Sequence, residues 1–345
     1  MSGQDEQGAC DIPGSPHPGP PDPGPLTPEP STPPRTRLTR RRLLVGGGAL
    51  VGVGALAAGG AGLVGSVETP APVPQRVPAP ARPVRGTQAA VTVEWVRSVA
   101  RNRSVRLVIT SPPGRDRATL PLCVGMHGLG GNALWWGDPG MRRVLGNAWA
   151  SGVPPFAVAA LDGGDNYWHP FHPDDDPMRM MLDELPTWML QRGVARATQG
   201  VPVLTAGVSM GGAGALLYGR ERARRGAPVR AVAAMSPGLF TDWRVAAKRP
   251  FAGPADWAAN DPLRFYPELA GTPTGVWCGD KDAFAAPVRR YIELAHPQFS
   301  RISPGRHDGT YYGTILPQVI DFLGAHVAPP ALPFAQPSRE TYPHL

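Results

Sequence analysis

Cysteine is nearly absent, with three in 345 residues at Cys10, Cys123 and Cys278. None stands in a CxxC spacing, so the chain supplies neither a disulfide framework nor a thiolate zinc site. Charge is thin as well, at 18% Asp, Glu, Lys and Arg. The net charge is +7, and residues 1–85 carry 8 Arg against 6 acidic residues, which leaves 26 basic and 21 acidic groups beyond them. No Lys/Arg run with interleaved aromatics occurs. Arg222, Arg224 and Arg225 read as the solvated end of a helix, and nucleic acid is not expected as a partner. Aromatic residues are missing altogether from residues 1–85, which nevertheless hold 17 of the 44 prolines. A segment without rings and broken by proline cannot bury enough apolar surface to fold alone. The first aromatic is Trp95, and the folded part is expected over 88–328, about 240 residues, the size of one domain.

The remainder divides by composition. Residues 1–42 form a Pro-rich leader ending in Thr39-Arg40-Arg41-Arg42, and 43–67 are an uncharged stretch of mostly Gly, Ala, Val and Leu. Paired Arg before a weakly hydrophobic core resembles a twin-arginine export signal. The same 25 residues are long enough to cross a bilayer, although nine glycines weaken a helix there, so cleavage and tethering to a membrane both stay open. Residues 68–87 read as a Pro-rich linker and 329–345 as a Pro-rich tail. The expected location is outside the cytoplasm.

Apolar, β-branched runs recur from residue 90, at Val91–Val96, Val105–Ile109, Leu120–Met126, Phe156–Leu161, Val203–Val208, Val229–Met235 and Thr274–Cys278. Several are continuous rather than alternating, as in strands covered on both faces. Helical stretches are expected over Met141–Ala150, Pro177–Arg192, Gly211–Arg225, Pro287–Ala295 and Thr314–Val327. Strand and helix in succession predict an α/β fold with a mostly parallel sheet between helices, and the first two strands read as an antiparallel hairpin.

Gly207-Val208-Ser209-Met210-Gly211-Gly212 fits G-x-S-x-G and stands between an expected strand and an expected helix. Glycines two before and two after the serine relieve the crowding of a sharp strand-to-helix turn, and the helix N-terminus offers N–H groups to a developing oxyanion. A serine hydroxyl needs a base held by an acid. Among the histidines, His127, His169 and His172 precede the serine, His296 ends a helix, and His326 and His344 lie near the chain end. His307 remains, in a polar loop after a short strand-like stretch, Phe299–Ser303, where the carboxyl edge of the sheet is expected. For the acid, Asp280 and Asp282 both follow Thr274–Cys278. Asp282 is preferred because three residues past Gly279 the chain can turn back towards His307, while Asp280 suits a turn cap or a pairing with Lys281. The glycine-rich loop His127-Gly128-Leu129-Gly130-Gly131-Asn132 follows another strand, so the oxyanion donors are expected to be the backbone N–H groups of Leu129 and Met210.

These residues resemble the esterase branch of the α/β-hydrolases, which includes S-formylglutathione hydrolase (esterase D), feruloyl esterase domains and the mycolyltransferases of the antigen 85 group. The resemblance covers about residues 90–325. It rests on His127-Gly128-Leu129, Asp162-Gly163-Gly164 with Tyr167-Trp168, Asp183-Glu184-Leu185-Pro186, the serine motif, Gly279-Asp280-Lys281-Asp282 and His307. Uncharacterised exported esterases of actinobacteria share several of these segments. The chain departs from the mycolyltransferases in having His127 where they carry an acidic residue, and an Asp where their triad acid is a Glu.

The resemblance implies a serine hydrolase acting on a small-molecule or envelope ester, without a cofactor. The alternatives are an acyltransferase of the cell envelope and a non-catalytic binding module on the same fold. Trp135, Trp136, Tyr167 and Trp168, with Tyr311 and Tyr312, are expected around the mouth of the site. His169 and His172 are each followed by a proline, Pro170 and Pro173, which break helical ligand spacing, so no metal is expected. Asp183 and Glu184 are expected to cap a helix or buttress the serine turn.

Overall fold

The computed structural model describes residues 88–328. The leader 1–42, the apolar stretch 43–67, the linker 68–87 and the tail 329–345 lie outside the described residues, as do the export and tethering expectations attached to them.

Eight strands form one sheet: β1 Ala90–Ser98, β2 Arg103–Ser111, β3 Leu122–Met126, β4 Ala157–Leu161, β5 Leu204–Val208, β6 Ala231–Met235, β7 Thr274–Gly279 and β8 Phe299–Ser303. Their order is β1-β2-β4-β3-β5-β6-β7-β8. β1 pairs with β2, and β2 with β4, antiparallel, and every later pairing is parallel. The sequence predicts the parallel centre, whose continuous apolar runs become fully buried strands, and the β1–β2 hairpin, but not the antiparallel pairing of β2 with β4. β4 and β6, AVAAL and AVAAM, are buried at every position. Along β4, Ala157, Ala159 and Leu161 enter one core while Val158 and Ala160 enter the other, the period-two alternation of a strand covered on both sides.

One core is roofed by α1, Pro139–Ala150, and by the C-terminal helix Gly309–Ala325, with Trp136, Trp277 and Phe156 beneath them. The other lies under Met210–Arg224 and a helical run that opens at Pro177–Arg179, widens to a π turn at Met180–Glu184 and continues through Leu185–Gln191. The last helix begins five residues before the expected Thr314. Asp308 caps it by accepting the Tyr311 N–H at 2.9 Å, which leaves Pro317 in the helix interior rather than its first turn.

The segment between β6 and β7 holds short helices at Trp243–Ala246, Pro254–Asn260 and Pro262–Phe265 that no periodicity announces. Two of them start on a proline, and Asp242 and Asp261 cap two by accepting the N–H groups of Arg244 and Leu263. Among the described residues no helix is long and apolar enough to cross a membrane.

Candidate active site

Ser209 follows β5, the loop 127–132 follows β3, Asp282 follows β7 and His307 follows β8. All four therefore stand at the carboxyl edge of the parallel strands, where open α/β sheets bind ligands.

Ser209 is held at φ +58° and ψ −120°, a conformation that costs a non-glycine residue about 1–3 kcal/mol. Four backbone bonds impose it. Its N–H donates to the Met235 carbonyl at 2.8 Å, and its carbonyl accepts from Gly212 and Gly238 at 2.9 Å and from Ala213 at 3.2 Å. The flanking glycines are needed for close approach, since a Cβ on Gly207 would lie 1.9 Å from the Gly211 carbonyl oxygen. The turn throws the hydroxyl towards His307, whose Nε2 is 2.8 Å from Ser209 Oγ.

His307 Nδ1 donates to Asp282 Oδ2 at 2.8 Å, and the other carboxylate oxygen accepts the Phe284 N–H at 2.8 Å. Burial pushes the Asp282 carboxyl up, but the bonds from His307 and Phe284 and the charge of His307 outweigh it, leaving the carboxyl below its usual range. The structure therefore brings Asp282 to the histidine. Asp280 instead accepts the Gly305 N–H at 3.0 Å and ties β7 to the loop that carries His307.

On the opposite side of Ser209, a Cβ on Gly128 would stand 3.3 Å from the serine Cβ. Among the described residues, neither the Leu129 nor the Met210 N–H has an intramolecular acceptor. The Leu129 N–H shares a peptide unit with the Gly128 carbonyl, and in a trans peptide the two point in opposite directions. That carbonyl accepts from His127 Nδ1 at 2.8 Å and from the Gly131 N–H at 3.0 Å. His127 Nε2 accepts the Gly163 N–H at 2.9 Å, so the ring proton resides on Nδ1. Burial holds the His127 pKa below the ordinary histidine range, keeping the ring neutral.

The Asp162–Asp165 loop braces the same segment twice more. Asp165 Oδ1 accepts the Gly130 N–H at 2.7 Å, and Asp162 Oδ1 accepts the Ala133 N–H at 2.9 Å. Arg101, itself buried, donates to the Asp162 carbonyl and to Asp175 Oδ1 at 2.6 Å, pinning the loop that runs over this end of the sheet.

The aromatic residues expected around the mouth divide. Trp136 is 1% exposed and Trp168 is fully buried, so both are core residues rather than lining. Their rings lie over glycines, where a Cβ would come within 2.6 Å of Trp136 at Gly125 and 2.4 Å of Trp168 at Gly163. Trp135 is half-buried and meets the Trp136 ring edge-on at 5.0 Å. Tyr167 is buried with its hydroxyl beside Gly238, next to the backbone of Ser209. Tyr311 and Tyr312 are buried too, and Tyr312 meets the His307 ring edge-on at 5.7 Å, with Phe284 on it at 5.1 Å.

Glu184 corrects an expectation: it does not buttress the serine turn. Its carboxylate accepts the Ser98 hydroxyl at 2.6 Å and the N–H groups of Val99 and Ala100 at 2.9 and 2.8 Å, securing the β1–β2 turn. Asp183 pairs on the surface with Arg225. His169 Nε2 bonds to the Pro250 carbonyl, His172 bridges to Asp175, and no group of three or more His, Cys, Asp or Glu among the described residues is placed to hold a metal ion.

No protein-family model matches the chain, and no curated protein does. Solved structures do. A ferulic acid esterase aligns with a TM-score of 0.57 at 20% identity over 69% of this chain and 99% of its own. The S-formylglutathione hydrolase of Agrobacterium tumefaciens aligns at 0.56 and 16% identity, over 70% and 96%. The Staphylococcus aureus fluorophosphonate-binding serine hydrolase F aligns at 0.54 and 14%, over 69% and 99%. The fold is the α/β-hydrolase fold. Solved structures with this fold include feruloyl esterases and S-formylglutathione hydrolases.

Proposed function

We propose that this chain is a serine esterase acting on carboxylic esters outside the cytoplasm. The observation that carries the reading is the unbroken relay from Ser209 Oγ through both ring nitrogens of His307 to Asp282, with 2.8 Å at each step, beside two N–H groups without acceptors among the described residues. Ser209 attacks the ester carbonyl while His307 Nε2 takes its proton. The Leu129 and Met210 N–H groups receive the oxyanion, and Asp282 orients the imidazole and stabilises its cation. His307 then protonates the leaving alcohol, and water resolves the acyl-enzyme by the reverse proton route. The similarity to the ferulic acid esterase and to the fluorophosphonate-binding hydrolase supports the same chemistry.

Turnover of p-nitrophenyl acetate by Ser209→Ala is expected to fall by at least about 10⁴-fold, and by Asp282→Asn about as far. Asp280→Asn loses much less. Retained turnover in Ser209→Ala, or equal losses at the two aspartates, would contradict these roles. The extracytoplasmic location rests on the Arg40-Arg41 pair before 43–67. With both changed to Lys, cell fractionation should find the protein retained inside, and unchanged export would count against the address.

A further inference from the structure

Of the seven large apolar side chains left exposed among the described residues, five belong to one corner: Val93, Trp95, Val99, Leu129 and Leu134. β1 runs antiparallel to β2 and β2 to β4, so β1 points the same way as the parallel strands. Trp95 and the β1–β2 turn therefore stand at the edge of the sheet that carries Ser209. A chain of contacts crosses that edge. The Arg106 guanidinium lies 5.3 Å from the centre of the Trp95 ring, and Arg106 Nε donates to Asp162 Oδ2 at 3.2 Å. The other oxygen of Asp162 accepts the Ala133 N–H, next to Leu134, at 2.9 Å. In the order β1-β2-β4-β3-β5, strands about 4.8 Å apart put Trp95 roughly 19 Å from Ser209, and the loop of Leu129 and Leu134, which follows β3, lies between.

The corner is held out rather than folded in. Trp95 is 64% and Val99 76% exposed, although Glu184 fixes the turn through the N–H groups of Val99 and Ala100. An apolar patch rimmed by polar groups marks a surface that another molecule covers. The carboxylates around β1 are engaged, Glu94 by Arg192, Asp162 by Arg106 and Asp175 by Arg101 and Arg103. Arg97 shares a face with Trp95 and donates to Asn102 Oδ1 at 2.8 Å, with no acidic partner among the described residues. The charge left over beside Trp95 is positive.

We propose that this corner docks on a phospholipid bilayer, with Trp95 and Val99 entering the headgroup region and Arg97 meeting lipid phosphate. A protein partner needs a close-packed complementary surface. Here the side chains stand singly on strand, turn and loop, and a fluid surface accepts them one at a time. In the sequence, only 68–87 separate the uncharged stretch 43–67 from the described chain, whose first strand is β1. Docked this way, the edge that carries Ser209 faces the bilayer, and esters held there reach the oxyanion loop without crossing water. That consequence rests on the serine-esterase reading, whereas the docking does not.

The test uses the full chain with Cys10→Ser and vesicles of phosphatidylglycerol and phosphatidylcholine. An environment-sensitive fluorophore is placed on Val99→Cys or on Ser151→Cys, the latter exposed before β4 at the opposite edge. Vesicles are expected to shift the Val99→Cys emission to the blue and to leave Ser151→Cys unchanged. Without a label, Trp95→Ser should hydrolyse p-nitrophenyl laurate carried in vesicles at least about tenfold more slowly than wild type, since an indole's apolar burial is lost from the partition. Turnover of soluble p-nitrophenyl acetate should not change. The stretch 43–67 is common to every variant and cancels in each comparison. No shift, or equal shifts at the two positions, overturns the docking, as does an equal loss on both esters in Trp95→Ser. A shift that follows protein concentration without vesicles overturns it too and assigns the corner to a second copy of the chain. A blue shift without hydrolysis of either ester overturns the esterase reading and leaves the docking standing.

Discussion

At the scale of single residues, two histidines are built for opposite purposes. In the proposed reaction His307 exchanges a proton between Ser209 and a leaving group, and one ring nitrogen faces the hydroxyl and the other a buried carboxylate. His127 has both nitrogens engaged by backbone, and burial keeps it neutral. Its work is to hold the Gly128 carbonyl, and through the rigid peptide to aim the Leu129 N–H. Changing His127 to Ala is therefore expected to lower kcat by about 10–100-fold with KM nearly unchanged, somewhat less than outright loss of an oxyanion donor. Steady-state kinetics on the variant would show it, and a change confined to KM would contradict it. The same ring imposes a pH dependence on stability. Burial lowers the pKa of both His127 and His169, so below about pH 6.5 the unfolded chain binds protons that the folded one refuses. Each ring then removes stability as pH falls, by at most about 1.4 kcal/mol per unit, while the Asp261 carboxyl, raised by burial to about 6, works in the opposite direction; His127→Ala should make the loss shallower in urea titrations below pH 6.5.

At the scale of elements, the strands and the serine turn were legible because their signals are local. A continuous apolar run marks a doubly covered strand, and G-x-S-x-G between strand and helix needs only five residues. The braces were not legible. Asp165, Asp162 and Arg101 act across 35, 29 and 61 residues of chain, and single polar side chains in glycine loops carry no period. Aromatic placement failed for a related reason: a tryptophan reads alike in a loop at the mouth and folded over a glycine in the core, as Trp136 and Trp168 are. Glu184 shows how far such a brace reaches, since it fixes a turn 84–86 residues away. Glu184→Gln should lower the unfolding free energy by about 1.5–3 kcal/mol, because a charged acceptor of three bonds becomes neutral. Activity per folded molecule should stay at the wild-type level, which places the residue in the frame and not in the site. Urea denaturation and active-site titration separate the two.

At the scale of the whole molecule, charge is thin throughout, with 14 charged residues in 1–85 and 47 in the 260 beyond, whereas the aromatics begin only at Trp95. Residues 1–85, which lack rings, lie outside the described residues, and within 88–328 the apolar residues divide between two cores on either face of one sheet. That sheet brings four loops, separated by up to 180 residues, to one edge. The proposed reaction depends on one of them presenting a nucleophile at Ser209. Labelling the full chain with a fluorophosphonate and mapping the adduct by peptide mass spectrometry tests this directly. A single adduct on Ser209, absent from Ser209→Ala and slowed in Asp282→Asn, is the predicted result. An adduct on another residue, or none on the folded protein, would contradict it.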